Sequence, residues 1–200
     1  MTIVSTSTAV IAETGDEPVS LLQLKNICRA VADDEDDELR SWGVTARKMV
    51  ESDSHRSLVR KTIRQRRHCW PAENYVELAR GPLVSVESLQ YIDTDGATQS
   101  IESADNWRID TDRQPGVLFF DPEFVRPATI SGRHDAITIN YTAGYDTVEN
   151  PAPAIACSAI SMLVAHWYKN REATTVGVVS TELALGYERL IGLLLQETYP

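Results

Sequence analysis

The chain has 200 residues, of which 42% are hydrophobic and 24% are charged, and its formal net charge at pH 7 is -10. This hydrophobic share is too high for a disordered chain, and it fits one compact domain or two small ones that share a core. The negative charge argues against nucleic-acid binding through the overall field, because attraction to phosphate needs a basic surface.

The N-terminal third predicts an arm followed by two helices. Residues 1–17 are small, polar and β-branched, which favours a flexible N-terminal arm. Ser20 is a typical N-cap residue, and apolar residues follow it at helical spacing, so a short first helix is expected. A second helix is predicted over residues 34–52. Its acidic start, residues 33–38, suits the positive end of a helix dipole; a metal loop is disfavoured because no glycine-punctuated segment follows.

The middle of the chain predicts strands. From Leu58 to Trp70 the residues alternate, with Val59, Lys61, Ile63 and Gln65 against Arg60, Thr62, Arg64 and Arg66. The basic content of this strand is unusual in an acidic chain. Further strands are expected near residues 76–78, 84–92, 107–110, 116–120 and 136–141. Thr94-Asp95-Gly96 predicts a hairpin turn, and four prolines argue against helix in this region.

The helical period returns after residue 150. The first helix of this region, from about Ile155 to Trp167, is apolar over most of its surface and is therefore expected to be buried. A mobile loop at residues 173–181 and a leucine-rich final helix are expected to follow. The order of elements predicts an α+β fold. Residues 18–55 and 150–200 would form a helical bundle, residues 56–149 an inserted β-rich module, and residues 1–17 the arm.

The sequence lacks the patterns of a reactive centre. It contains no phosphate-binding loop, no H-E-x-x-H and no G-x-S-x-G motif. His68 and Cys69 are expected to point to opposite faces of a strand, so they would not meet. Asp93-Thr94-Asp95-Gly96 begins like a calcium loop, but Ala97 and Ala104 occupy ligand positions. We therefore predict no catalytic residue, no metal, no cofactor and no enzymatic activity.

Two further features exclude other classes of protein. The three cysteines are odd in number and far apart, which predicts reduced thiols and not a disulfide framework. The longest apolar stretch, residues 152–168, is short for a membrane span and contains polar residues. We expect no membrane insertion.

Four segments, taken in order, resemble the head-to-tail connector (adaptor) family of tailed phages, in particular its longer members with a β-insertion. The similarity covers nearly all of residues 18–195. The most specific parts are the strand end Tyr141-Thr142-Ala143-Gly144-Tyr145 and the helix end His166-Trp167-Tyr168-Lys169-Asn170-Arg171-Glu172. The other parts are Pro18-Val19-Ser20-Leu21 with the acidic run, Arg80-Gly81-Pro82 leading to Asp93-Thr94-Asp95-Gly96, and Pro151-Ala152-Pro153 opening a helix.

The resemblance implies a structural part in the neck of a tailed phage or phage-like particle, including a gene-transfer agent, made in the cytoplasm of the host bacterium. Members of the family form a ring, typically dodecameric, between the portal above and a tail-completion or stopper protein below. The ring continues the channel through which DNA passes without specific binding. No membrane is involved.

Three sets of residues are candidates for these contacts. Leu190, Leu194 and Tyr199 of the leucine-rich final helix and its end are hypothesised to dock on the portal. Arg60, Arg64 and Arg66 are hypothesised to contact acidic residues of the next subunit. Asp33, Asp34, Glu35, Asp36, Asp37 and Glu38 are candidates for an acidic channel wall that repels DNA phosphates, against the alternative of a solvated helix start.

Two other functions are compatible with the sequence. One is a tail-completion or neck protein one layer below the adaptor. The other is a nucleic-acid-binding regulator that uses the basic strand, which the net charge of -10 disfavours.

Overall fold

The computed structural model describes residues 6–31, 33–104, 106–146, 150–171 and 181–196, with only the backbone described for residues 181–184 and 196. The chain divides into two compact units. We call Met1–Thr14 with Arg60–Gly144 the β unit, and Gly15–Val59 with Tyr145–Pro200 the helical unit. The predicted α+β class is confirmed, because both chain ends supply helices and the middle supplies strands.

The described part of the helical unit contains four helices: α1 Leu21–Cys28, α2 Asp36–Ser54, α3 Ala154–Lys169 and α4 Thr181–Gln196. Helix α3 packs against each of the other three. Ile160, Leu163 and Val164 of α3 are buried in the core that these helices share. This central position explains why α3 is apolar over most of its surface, as the sequence predicted.

The start of α1 follows from its sequence. The Ser20 hydroxyl accepts a hydrogen bond from the Gln23 backbone N–H at 3.3 Å, and the Ser20 backbone N–H donates to Gln23 Oε1 at 2.8 Å. This reciprocal pair is a capping box, which satisfies two backbone donors at the helix start. The predicted N-cap is confirmed.

The described part of the β unit contains eight strands: β1 Thr6–Glu13, β2 Lys61–Arg67, β3 Tyr75–Glu77, β4 Leu83–Ile92, β5 Thr98–Ile101, β6 Trp107–Asp110, β7 Val117–Phe120 and β8 Ile137–Ala143. One sheet has the order β1-β2-β8-β4-β5, and a smaller one has the order β3-β7-β6. All neighbouring strands are antiparallel. A single apolar core contains buried residues of both sheets, among them Ile63, Leu89, Leu118 and Ile139.

The alternation predicted for β2 is confirmed. Lys61, Ile63 and Gln65 are buried, whereas Arg64 and Arg66 are half-buried. The buried amide of Gln65 is fully used within the β unit. Its Nε2 donates to the Glu77 carbonyl at 3.0 Å, and its Oε1 accepts from the Ala79 N–H at 2.9 Å. One side chain thus fixes the segment that follows β3.

The N-terminal residues differ from the predicted flexible arm. Thr6–Glu13 forms β1, which pairs with β2 along its whole length and has a bulge between Val10 and Ala12. The β-branched residues that suggested an irregular arm are equally suited to a strand, and β2 supplies the partner for their backbone groups. Strand β5 was not predicted either, because Thr98–Ile101 is short and mostly polar.

Gly116 occupies a place where no side chain fits. A Cβ atom at this position would lie 2.3 Å from Leu83 Cβ, and Leu83 is itself buried in the β-unit core. A clash with a side chain so close to its own backbone is not relieved by a rotamer change, because the Leu83 Cβ position is fixed by β4.

We expect Gly116→Ala to destabilise the β unit by about 1–3 kcal/mol, the usual cost of overpacking a core. Urea unfolding measures this change. Gly192→Ala is the matched control, since a Cβ there meets nothing within 4 Å and alanine favours a helix by up to about 1 kcal/mol. An unchanged unfolding midpoint for Gly116→Ala would contradict the close approach of Gly116 to Leu83.

Candidate functional site

The basic segment, residues 60–67, lies near one edge of the five-stranded sheet. Arg64 and Arg66 of β2 stand on the face opposite the buried residues of that strand. Arg64 Nε donates to Asn140 Oδ1 at 3.3 Å, and the Asn140 amide donates to Ser88 Oγ at 2.9 Å. Arg66 has no hydrogen-bond or ion-pair partner among the described residues. The third predicted arginine, Arg60, precedes β2, and its carbonyl accepts from the Thr14 N–H at 3.0 Å.

The same face carries a polar cavity of about 320 Å³. Arg64 and Arg66 line it together with Arg133, Thr138 and other polar residues of β4, β5 and β8. Arg133 is already engaged by Asp135, which accepts from Nε and from Nη2, both at 2.8 Å. These hydrogen bonds hold the pKa of Asp135 at about 2. The cation least engaged on this face is therefore Arg66.

The acidic run 33–38 is engaged within the helical unit. Lys25 Nζ lies 2.6 Å from Asp33 Oδ1 and 2.7 Å from Asp36 Oδ1. Arg40 Nη1 lies 2.8 Å from Asp37 Oδ1. Three cations, Lys25, Arg40 and Arg171, thus face six carboxylates. The run is largely a set of ion pairs that anchor the start of α2, and part of its negative charge remains.

Glu35 is the most constrained member of the run. Its Oε1 accepts from Arg171 Nη1 at 2.6 Å, and its Oε2 accepts from the Tyr168 hydroxyl at 2.8 Å. The Arg171 guanidinium also lies 4.1 Å from the centre of the Tyr168 ring and 5.4 Å from that of Trp42. These two hydrogen bonds lower the pKa of Glu35, and the bond to Glu35 raises the pKa of Tyr168. Because the pKa of Glu35 is lowered, the contact is present at neutral pH and is lost only as the pH falls through that lowered value.

This cluster, which we call the Glu35 clamp, consists of Glu35, Trp42, Tyr168 and Arg171. It joins the acidic run to the helix end that the sequence singled out as specific. At that helix end Trp42 and Tyr168 meet edge to face, with ring centres 6.4 Å apart. The pairing of Glu35 with Arg171 was missed, because no periodicity relates residues 136 positions apart.

The final helix only partly matches the predicted docking residues. Leu194 has no exposed surface and lies in the core of the helical unit, and Leu190 packs against that core. Leu194 is therefore not available to a partner, because its side chain completes the protein's own core. Among the α4 side chains that the structure describes, residues 185–195, the exposed leucines are Leu185, which is 66% exposed, and Leu193, which is 41% exposed. Tyr199 lies outside the described residues, as does most of the expected loop at 173–181.

Two buried arginines were missed by the sequence analysis. Arg56 is 2% exposed; it donates to the Tyr145 hydroxyl at 3.0 Å and to the Leu194 carbonyl at 2.8 Å. Arg47 is 1% exposed and pairs with Glu17 and Glu51 at 2.9 and 3.0 Å. An arginine is seldom buried without partners, and all of these partners except Glu51, which is on the same helix as Arg47, come from distant parts of the chain. Both networks are structural.

The prediction that His68 and Cys69 would not meet is wrong in its geometry. The two residues follow the end of β2, and Cys69 Sγ lies 3.3 Å from His68 Nε2. The alternation of a strand does not apply there, because the chain turns after Arg67.

Among the described residues, no group of three or more His, Cys, Asp or Glu side chains is placed to hold a metal ion. None of the described helices is long and apolar enough to cross a membrane.

Comparisons with known proteins give similarity in fold. No protein-family model matches the chain, and no curated protein matches its sequence. A chain from a structure titled "Virion of native gene transfer agent (GTA) particle" superposes with a TM-score of 0.71 at 19% identity, covering 94% of both chains. A chain from "Neck of empty GTA particle computed with C6 symmetry" has a TM-score of 0.65 at 21% identity, covering 90% of this chain and 93% of that one. A third, from "Neck of native GTA particle computed with C12 symmetry", has a TM-score of 0.61 at 19% identity, with coverage of 93% and 94%.

We expect Glu35→Gln to open the Glu35 clamp, because a neutral amide holds Arg171 more weakly than a carboxylate does. The measurement is trypsin cleavage after Arg171 in the folded protein, which should become several-fold faster. Asp34→Asn is the matched control, since the Asp34 side chain has no ion-pair partner among the described residues. Equal cleavage rates for the two variants would show that Glu35 does not restrain Arg171.

Proposed function

We propose that the chain is a structural component of the neck of a tailed phage or phage-like particle, a head-to-tail adaptor that forms a ring between portal and tail. The observation that carries this proposal is the agreement in fold over nearly the whole length of chains from gene-transfer-agent virion and neck structures. Two of those neck structures have C6 and C12 symmetry, which is the symmetry of rings and supports a homo-oligomeric ring, dodecameric in the particle.

The role we propose is structural and not catalytic. Three buried polar side chains are engaged in holding the fold: Arg47 and Arg56 in the helical unit and Gln65 in the β unit. The excess negative charge of residues 33–38 suits a channel wall past which DNA moves without specific binding, because like charges repel at short range. In this proposal Arg64 and Arg66 contact the next subunit.

A portal contact through α4 is part of the proposal, with the docking residues revised by the structure. Leu185 and Leu193 replace Leu194, because they are the exposed leucines within residues 185–195, where the structure describes the side chains of that helix. An exposed pair of leucines suits a surface that becomes buried on assembly. A tail-completion or stopper protein would lie on the other side of the ring.

Position in the particle is the first test. We expect cryo-electron microscopy of particles from the producing cells to show this chain as a ring directly below the portal. Density for the chain one layer further down would make it a tail-completion protein. Absence of the chain from assembled particles, together with salt-dependent DNA binding by the purified protein, would favour the regulator and overturn the proposal.

We expect the double substitution Leu185→Asp and Leu193→Asp to leave heads without tails. A leucine buried at an interface contributes about 1.5–3 kcal/mol, so the pair should weaken docking by roughly 10²–10⁴-fold. The measurement is the fraction of tailed particles, with circular dichroism showing that the variant is folded. Lys48→Asp, at an exposed residue of α2, is the control because it changes net charge by the same amount as the two leucine substitutions. Tail attachment equal to that of the control would exclude docking through this face.

A further inference from the structure

The order of strands gives the five-stranded sheet two edges of different character. Strand β1 forms one edge, and all eight of its residues are exposed. Val10 and Ile11 are each 48% exposed, so the apolar core does not extend beneath them. Edge strands usually carry lysine, proline or inward-pointing charge that prevents pairing with another chain. In β1 the one charged residue is Glu13, at its end, and Glu13 is paired with Lys61 at 3.2 Å.

The opposite edge is β5, none of whose four residues is charged. The Ile101 carbonyl accepts from Trp107 Nε1 at 3.2 Å, so the part of this edge left open is Thr98–Ser100. A turn closed by Asp93 joins β5 to β4. Both edges of the sheet thus have backbone groups open to pairing, along a long strand at β1 and a short one at β5.

Charge is distributed unevenly between the two edges. Residues 60–67, next to β1, contain five cations and no acid: Arg60, Lys61, Arg64, Arg66 and Arg67. Residues 83–102, which form the β4–β5 hairpin and the residue after it, contain four acids and no cation: Glu87, Asp93, Asp95 and Glu102. The central strand β8 has no charged residue. The sheet therefore has a basic edge and an acidic edge.

Two half-buried arginines of β2, Arg64 and Arg66, lie opposite small residues of the edge strand β1. In the register of β1 with β2, Arg64 lies opposite Ala9 and Arg66 lies opposite Ser7. Strands are about 4.8 Å apart, and an extended arginine side chain is longer than one such step. The Arg66 guanidinium, which has no partner among the described residues, can therefore cross β1 to a carboxylate on a molecule that lies beyond it. Arg64 can do the same only after it leaves Asn140 of β8. Asp95 and Glu102 are exposed and have no side-chain partner among the described residues.

The direction of the strands agrees with an arrangement in which copies repeat side by side. Four antiparallel steps separate β1 from β5, so the two strands run in the same direction. In a ring of many copies, neighbours are related by a small rotation, which preserves both the strand direction and the outward face. One edge of each copy then meets the opposite edge of the next, as a head-to-tail interface requires.

We infer that the basic edge of one copy, β1 with Arg64 and Arg66, docks against the acidic β4–β5 hairpin of the next copy. The inference rests on the ring of the proposed function and names the surfaces that form it. Complementary charge determines that the basic edge of one copy meets the acidic edge of the next. The open strand β1, with Val10 and Ile11, supplies the apolar surface that the next copy would bury. A symmetrical dimer through two β1 edges is disfavoured, because it would bring two basic segments together.

Cross-linking in the assembled particle tests the geometry. Particles are produced with the variant Ala9→Cys and Ser100→Cys and treated with a short bismaleimide. We expect a ladder of covalent oligomers of this chain. The single variants and the unchanged chain, with its three native cysteines, should give no ladder. A dimer from Ala9→Cys alone would instead indicate pairing between two β1 edges and would overturn the inference.

The same particles separate failure of the inference from failure of the proposed function. If the double-cysteine chain is present in the neck and gives no ladder, the surfaces named here are wrong and the proposed function stands. If the chain is absent from particles that are otherwise complete, the proposed function fails and the inference fails with it.

Charge exchange tests the electrostatic part. We expect Arg64→Glu with Arg66→Glu to yield at least tenfold fewer rings, and Asp95→Arg with Glu102→Arg to do the same. Co-expression of the two variants should restore mixed assemblies of at least two copies, more strongly at low salt. The matched controls are Asp112→Arg with Glu123→Arg and Lys48→Glu with Lys169→Glu, which change net charge equally at exposed residues outside residues 60–67 and the β4–β5 hairpin. Ring yields that follow net charge alone, or no assembly from the mixture, would overturn the inference.

Discussion

The helical unit depends on the pairing of buried charge. Its two halves are separated in sequence by Arg60–Gly144, so no local interaction can hold them together. Arg56, at the end of the first half, donates to Tyr145 and to the Leu194 carbonyl of the second half. A guanidinium can be removed from water only where such acceptors are provided. The buried position of Arg56 therefore requires both that the chain returns to the helical unit at Tyr145 and that α4 packs against it.

A second buried arginine completes this arrangement. Arg47 of α2 pairs with Glu51 on the same helix and with Glu17 before α1, and the Glu51 carboxylate also accepts from the Leu58 N–H at 2.7 Å. Glu51 thus holds Leu58, near the point where the chain leaves the helical unit.

Many charged side chains of this protein form ion pairs with nearby residues, which reduces the charge that can act at long range. Three cations offset much of the acidic run, and one of them, Arg171, also stacks on aromatic rings. In the β unit Lys61 pairs with Glu13 and Arg133 pairs with Asp135. The basic segment and the acidic hairpin themselves lie near opposite edges of one sheet. Net charge alone describes neither situation. The arrangement of strands decides which charges are left for a partner.

Some elements could be predicted from the sequence because their causes are local. The cap at Ser20 depends on residues three positions apart, and the faces of β2 and β8 depend on alternation within seven residues. The Asp-Gly turn after β4 is of the same kind: Gly96 adopts the positive φ of 86° that such a turn favours. Strand β1 escaped prediction, since an edge strand with both faces exposed has no alternating pattern to recognise.

By itself, therefore, the sequence determined the α+β class, the places where helical and strand periodicity change, and the lack of any motif for chemistry. Only the tertiary structure decided that Leu194 lies in the core, that Glu35 holds Arg171, that His68 and Cys69 meet beyond a strand end, and that the charged segments occupy opposite edges of one sheet. The physical reason is the same in each case. Periodicity reports which side of an element is apolar, but the neighbour of a side chain is set by packing between segments far apart in the chain.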